Sequence, residues 1–289
     1  MSVSQPERNN RLASLHALSA ADTDERIEVA GAEIAVKCWG RGQPVLCVHG
    51  AGHGSGDFEL MAERLKSDFE IIALDWPGHG LSPDCGRPPS AAHYASIIEG
   101  ALDALYLDRP VLMGSGIGGA AALIAASRHP ERYAALILCN MPGLAPIGPA
   151  EQLACQSAMA LFRSAERGEW WGRTGFALLF SRMLKGAPAE PQLRRITSAA
   201  PEIAALLRGA WEDMATSCAD LRPLAERARM PVWLAWAKSD PFLTWRANRG
   251  ATRLFRKACA TGFRGGRAPF LEDPDAFAES FRRLAAENL

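Results

Sequence analysis

The chain has 289 residues, 48% of them hydrophobic and 22% charged, a balance that suits a globular protein with one large α/β domain and an insertion. Thirty-two basic and thirty-two acidic side chains cancel, so no global field draws the chain to nucleic acid or to an anionic membrane. The first residues contain no apolar signal core and no long unbroken apolar window follows, so no membrane span is expected and the expected location is cytoplasmic.

The first 24 residues are polar and alanine-rich, with a short helix expected near residues 12–18, and form an extension outside the core. Two short apolar runs in RIEVAGAEIAVKCWG flank Gly31 as a hairpin does, which predicts an antiparallel edge. In PVLCVHGAG, residues 44–52, a buried strand ends in His49-Gly50-Ala51-Gly52. Residues 69–83, FEIIALDWPGHGLSP, form another strand with a glycine-rich exit through Asp75, Gly78, Gly80 and Ser82. Tyr94, Ile97, Ile98, Ala101, Leu102 and Leu105 recur at steps of three and four, the period of an amphipathic helix over residues 91–107. PVLMGSGIGGAAALIAA, residues 110–126, reads as a strand, a tight turn and a helix of small residues. YAALILC, residues 133–139, is a buried strand of the parallel type. This alternation predicts a doubly wound, mostly parallel sheet with helices on both faces.

Composition changes after residue 143. Residues 144–228 carry alanine, leucine and arginine at helical spacing, broken by Gly148-Pro149, Gly186-Ala187-Pro188 and Pro201, without a strand signal. An inserted helical cap is expected there, between core segments 25–143 and 229–289. Trp170, Trp171, Phe176, Phe180, Met183 and Trp211 supply apolar surface for packing cap on core, and one or two are expected to line a ligand pocket. PVWLAWAKSDPFLTW returns to the sheet and ends at Asp240-Pro241. GGRAPFLEDPDAF, residues 265–277, is the last motif. Seven scattered cysteines, with no C-x-x-C pair, suggest neither a disulfide framework nor a zinc site. No metal or cofactor is expected, and Cys47 and Cys139 read as small core residues rather than thiol nucleophiles.

Taken together these motifs resemble the α/β-hydrolase superfamily, in family order over roughly residues 25–287. Its nucleophile elbow reads G-x-S-x-G. With Ser115 at the centre the flanks would be Met113 and Ile117, too large for so tight a turn. With Gly116 at the centre they are Gly114 and Gly118, and Gly119 follows. The resemblance therefore implies that the nucleophile position is Gly116, where glycine adopts the strained backbone at no steric cost. It also implies Asp240 as the catalytic acid position. The final motif, G-H-x-P-x-L-E-x-P in relatives, aligns through Gly266, Pro269, Leu271, Glu272 and Pro274 and leaves Arg267 at the histidine position. Backbone amides of Ala51 and Ile117 are the implied oxyanion-type donors.

A serine hydrolase needs a hydroxyl, an imidazole and a carboxylate in a linked row. Gly116 has no hydroxyl, and arginine holds its proton at physiological pH and cannot act as a base. The leading expectation is a protein without a working triad, whose Arg267 and Asp240 pair, and which binds a small, largely apolar ligand or a partner protein. The alternative is a triad-independent lyase, isomerase, cyclase or hydrolase acting on a carbonyl or ester-like metabolite through the two amides, with Asp240 or His53 moving a proton. Ester hydrolysis by Ser115 with a histidine of the His49 loop is the third and weakest. His49, His53, Ser115, Asn140, Trp170 and Trp171 are the pocket candidates. Finally, Arg246, Arg249, Arg253 and Arg256 step by three, four and three, which predicts one basic helix stripe able to meet an acidic partner protein.

Overall fold

In the computed structural model the described residues are 25–288 apart from 147, 217 and 219; the extension of residues 1–24, with its expected helix, lies outside them. Eight strands form one sheet: β1 (Glu25–Val29), β2 (Ala32–Trp39), β3 (Gln43–Val48), β4 (Phe69–Leu74), β5 (Val111–Ser115), β6 (Ala135–Cys139), β7 (Val232–Ala237) and β8 (Ala258–Phe263). Their spatial order is β1-β2-β4-β3-β5-β6-β7-β8. The β1–β2 and β2–β4 pairs are antiparallel and every later pair is parallel. This is the α/β-hydrolase fold, with the hairpin at residues 30–31 on the edge, where Ala30 and Gly31 both take positive φ (51° and 74°), the two-residue turn that matches strand twist.

The central strands are apolar on both faces because both faces are covered. Val45, Cys47, Val111, Met113, Ile137 and Trp233 enter one core, and Leu46, Val48, Leu112, Leu136, Leu138 and Trp236 the other. On the second face lie α2 (Ala91–Ala104) and α3 (Ile117–Arg128). Ser90 starts α2 by accepting a hydrogen bond from the His93 amide at 3.2 Å, satisfying one of the amides a helix start leaves unpaired. Ile97, Ile98 and Leu102 are buried on its inner side, each contributing about 1.5–3 kcal/mol. On the first face lie α1 (Glu59–Leu65) and α8 (Pro274–Asn288), through Met61, Leu65, Phe277 and Phe281.

Between β6 and β7 the chain forms α4 (Pro149–Glu166), α5 (Trp170–Met183), α6 (Glu190–Ser198) and α7 (Ala200–Ala215). Phe162, Phe176, Phe180, Leu207 and Trp211 of these helices join the first-face core, the packing expected of the apolar residues there. Two of the six do otherwise: Trp170 is 79% and Trp171 47% exposed.

The basic stripe is also corrected. Residues 245–248 form one helical turn and residues 251–254 a 3₁₀ turn, with Gly250 between them, so the four arginines do not share one helix. They are exposed, and among the described residues no carboxylate pairs with them. The strand that follows, β8, has no counterpart in the sequence reading. It is an edge strand of small residues, ACATGF, which carries little apolar period. Among the described residues no helix is long and apolar enough to cross a membrane, and no group of His, Cys, Asp and Glu side chains could hold a metal ion.

Candidate functional site

Gly116 stands between the end of β5 and the start of α3 at φ 56°, ψ −125°. This backbone disfavours any residue with a Cβ, yet the space around it is open: a Cβ built there meets only the Gly50 Cα, at 3.4 Å. The flanking glycines are required for a different reason. A Cβ on Gly114 would lie 2.4 Å from the Gly118 carbonyl oxygen, and one on Gly118 would lie 2.5 Å from the His49 carbonyl oxygen. Close approach of α3 to the strand ends thus brings the loop at residues 49–52 against the first turn of the helix. The amides of Ala51 and Ile117, the two expected oxyanion-type donors, donate to no group among the described residues.

Arg267 and Asp240 meet as a buried, two-point pair. The guanidinium Nε donates to Asp240 Oδ2 and Nη2 to Oδ1, each at 2.9 Å, with the residues 7% and 3% exposed. The Phe242 and Leu243 amides also donate to Oδ1 at 2.9 Å, and Asn140 Nδ2 donates to Oδ2 at 3.1 Å. One carboxylate therefore accepts five hydrogen bonds, two of them charge-assisted. Asn140, expected in a pocket, instead ties β6 to β7: its Nδ2 also donates to the Ala237 carbonyl at 3.1 Å and its Oδ1 accepts from the Ala237 amide at 2.7 Å.

The loop that presents Arg267 is held by Glu272. Its carboxylate accepts from the amides of Gly266 (2.7 Å), Arg267 (2.8 Å), Ala268 (2.7 Å) and Lys185 (2.6 Å). Burial pushes the Glu272 carboxyl above its usual range, while those four amides pull the other way. In sequence Glu272 serves only to set the motif's register, and its one signal as a loop anchor is an acid after the otherwise apolar run 268–271, two residues before Pro274.

A cleft of about 740 Å³, including its open mouth, lies between the β6 and β7 exits and the helical segment. Pro142, Cys155, Trp211, Met214, Phe242 and Leu243 contribute apolar walls, and Arg267 is its charged member. The Arg267 Cζ sits 5.8 Å from the Trp211 ring centre and 5.7 Å from that of Phe242, inside cation–π range. Trp211 was foreseen as apolar surface; Phe242 and Met214 were missed as walls.

None of the six pocket candidates lines this cleft. His49 is fully buried, its Nε2 accepting from the Trp76 amide at 3.1 Å and its Nδ1 bonded to the Gly50 carbonyl at 2.7 Å. His53 is paired with Asp57. Ser115 closes β5 with 4% exposure. Trp171 lines a separate groove between α4 and α5, and Trp170 projects to solvent. His49 is satisfied by its own loop and by the β4 exit, and His53 by Asp57; a tryptophan at the start of a helix can face either way. Asp75 behaves as a loop organiser, accepting from the Ser55 and Leu81 amides at 2.6 and 3.1 Å. Burial pushes the thiols of Cys47 and Cys139 upward, away from the thiolate a nucleophile needs.

Comparison with known proteins agrees with this architecture. The chain is 31% identical to a serine hydrolase-like protein of Danio rerio over 132 residues, 44% of this chain and 40% of that one. Matches to the first three curated relatives cover only 38–60% of their length. A pimeloyl-[acyl-carrier protein] methyl ester esterase of Xanthomonas campestris pv. campestris is 27% identical over 253 residues, 86% of this chain and 96% of that one. Among solved structures, a membrane phospholipase A described as a bacterial virulence factor superposes with TM-score 0.76 at 22% identity, over 97% of this chain and 92% of that one. The enol-lactonase of Burkholderia xenovorans LB400 gives 0.74 at 20%, over 91% and 100%. These two likenesses speak for the fold. The model of the alpha/beta hydrolase family matches residues 45–280, and the chain belongs to that family.

Proposed function

We propose that this chain is an α/β-hydrolase-fold protein without a working Ser-His-Asp triad, and that it binds a small, largely apolar ligand in the cleft beside Arg267. One observation carries the reading: the buried two-point pair between Arg267 and Asp240. It occupies the carboxylate that a triad uses to orient its histidine, with a cation that cannot accept a proton. Gly116 adds the second deficit, since the nucleophile position itself carries no side-chain oxygen. The triad-independent reading has Asp240 or His53 move a proton; Asp240 already accepts five hydrogen bonds and is poorly placed to do so, and His53 is paired with Asp57 and does not line the cleft.

The test is p-nitrophenyl ester turnover by the native chain and by Gly116→Ser with Arg267→His. A Cβ at Gly116 meets only the Gly50 Cα, at 3.4 Å, so a serine is tolerated there for space, and a histidine at 267 takes the place of the group that now pairs with Asp240. The expected result is no turnover above buffer by the native chain and measurable turnover by the double variant. Native turnover that persists in Ser115→Ala would overturn the reading. A partner protein is the second occupant considered, because Arg246, Arg249, Arg253 and Arg256 are exposed without carboxylate partners among the described residues. Docking of an acidic partner there would weaken steeply with added salt.

A further inference from the structure

The cleft's apolar walls enclose a guanidinium with donors to spare. Arg267 grips Asp240 through Nε and Nη2, and in a planar guanidinium that side-on grip turns Nη1 away from the carboxylate. Nη1 carries two N–H groups and donates to no group among the described residues. Arg267 lines the cleft together with Trp211 and Phe242, whose rings pack edge to face at 4.9 Å and lie together on one side of its Cζ, at 5.8 and 5.7 Å. The cleft therefore holds a hydrogen-bond donor that is fixed at two points by Asp240, backed on one side by a pair of rings, and already balanced in charge.

We propose that Arg267 is the polar anchor of this cleft, and that the group it anchors is an uncharged oxygen acceptor, a ketone or lactone-type carbonyl at the end of an apolar body, in preference to a carboxylate. The inference rests on the binding reading above and deepens it. A ligand carboxylate would place a second negative charge beside Asp240 with one cation for both, and like charges sharing a desolvated site disfavour each other. A pure hydrocarbon would cover Nη1 without giving it a partner, leaving buried N–H groups dry. A ligand ammonium would face the guanidinium. A neutral carbonyl supplies the acceptor and adds no charge, while its apolar body lies on Trp211, Met214 and Phe242.

The decisive experiment titrates the native chain by NMR with three probes that share a phenethyl body: benzylacetone (ketone head), hydrocinnamate (carboxylate head) and isopentylbenzene (hydrocarbon head). Benzylacetone is expected to bind tighter than either of the others by about tenfold, the worth of one hydrogen bond to a charged donor. In Arg267→Met that preference should collapse while isopentylbenzene binding persists; if this variant does not fold, the native series decides alone. Hydrocinnamate binding as tightly as benzylacetone, or isopentylbenzene matching it, overturns the anchor while leaving ligand binding intact. Failure of all three probes to bind overturns the anchor, and the same failure across a broad screen of apolar metabolites by thermal shift would remove the binding reading with it.

Discussion

Replacing Arg267 by methionine leaves the Asp240 carboxylate, 3% exposed, without its cation. Breaking one side of a buried ion pair costs about 3–5 kcal/mol. Three donors remain, from Asn140, Phe242 and Leu243 at 2.9–3.1 Å, so the low end, about 3 kcal/mol, is expected. Asp240→Asn keeps an oxygen for the Phe242 and Leu243 amides but leaves the Arg267 charge against two rings, a loss of about 2 kcal/mol. Arg267→Met combined with Asp240→Asn buries no charge at all, so it should lose only about 1–2 kcal/mol, well short of the sum, because making both partners neutral removes the charge-desolvation penalty along with the attraction. Urea unfolding followed by far-UV circular dichroism measures all four proteins, and thermal melts should move by about 2 °C per kcal/mol for a chain of this size. If Arg267→Met loses less than about 0.5 kcal/mol, or the double variant loses the full sum, the pair is not the buried, coupled unit described here.

Other perturbations separate sterics from electrostatics elsewhere. Gly116→Ala should lose about 1–3 kcal/mol from backbone strain and still fold, since its Cβ finds open space; Gly118→Ala, driven into the His49 carbonyl at 2.5 Å, should fail to yield a folded protein by circular dichroism. Glu272→Ala orphans four amides and should cost on the order of 4 kcal/mol in urea melts, whereas Glu272→Gln, which keeps one acceptor oxygen, should cost less. Burial pushes His79 from 6.5 down to about 4. A base harder to protonate when folded takes up its proton mainly on unfolding, so its contribution is complete above pH 6.5 and is lost as the pH falls toward 4. The loss across that window is about 3 kcal/mol, and His79→Gln should flatten the measured stability between those pH values; an unchanged slope would place the acid sensitivity elsewhere.

Much of the architecture is readable in the linear chain because it rests on local rules. The glycines at 114, 116 and 118 announce a tight turn for two reasons: a Cβ at 114 or 118 would lie 2.4 or 2.5 Å from a carbonyl oxygen, while 116 needs glycine for its backbone, at φ 56°. Doubly apolar runs such as VLCV and LILC mark strands covered on both faces. Arg267 stands out because the flanking Gly266, Pro269, Leu271 and Glu272 set its register. The reading fails where a residue's fate depends on what arrives from far along the chain. Trp170 and Trp171 read the same in sequence whether they face a pocket or water; α5 turns Trp170 to solvent and leaves Trp171 half-exposed over the groove beside α4. β8 is held by pairing with β7 rather than by its own weak period, so nothing in its own residues marks it as a strand, and the arginine spacing before it mimics a helix that Gly250 interrupts.

The sequence by itself determined the first seven strands, the glycine turn and the absence of a hydroxyl and an imidazole at the two positions where relatives are expected to carry them, since each follows from side-chain identity and nearest-neighbour sterics. Only the tertiary structure decided what Arg267 does. Its partner lies 27 residues away, the Asn140 that steadies that partner lies 100 residues from it, and the two rings beside the guanidinium come from α7 and the β7 exit. Contacts between distant segments are fixed by how the layers pack, and it is that packing which turns a lone arginine into a neutralised donor in the wall of an apolar cleft.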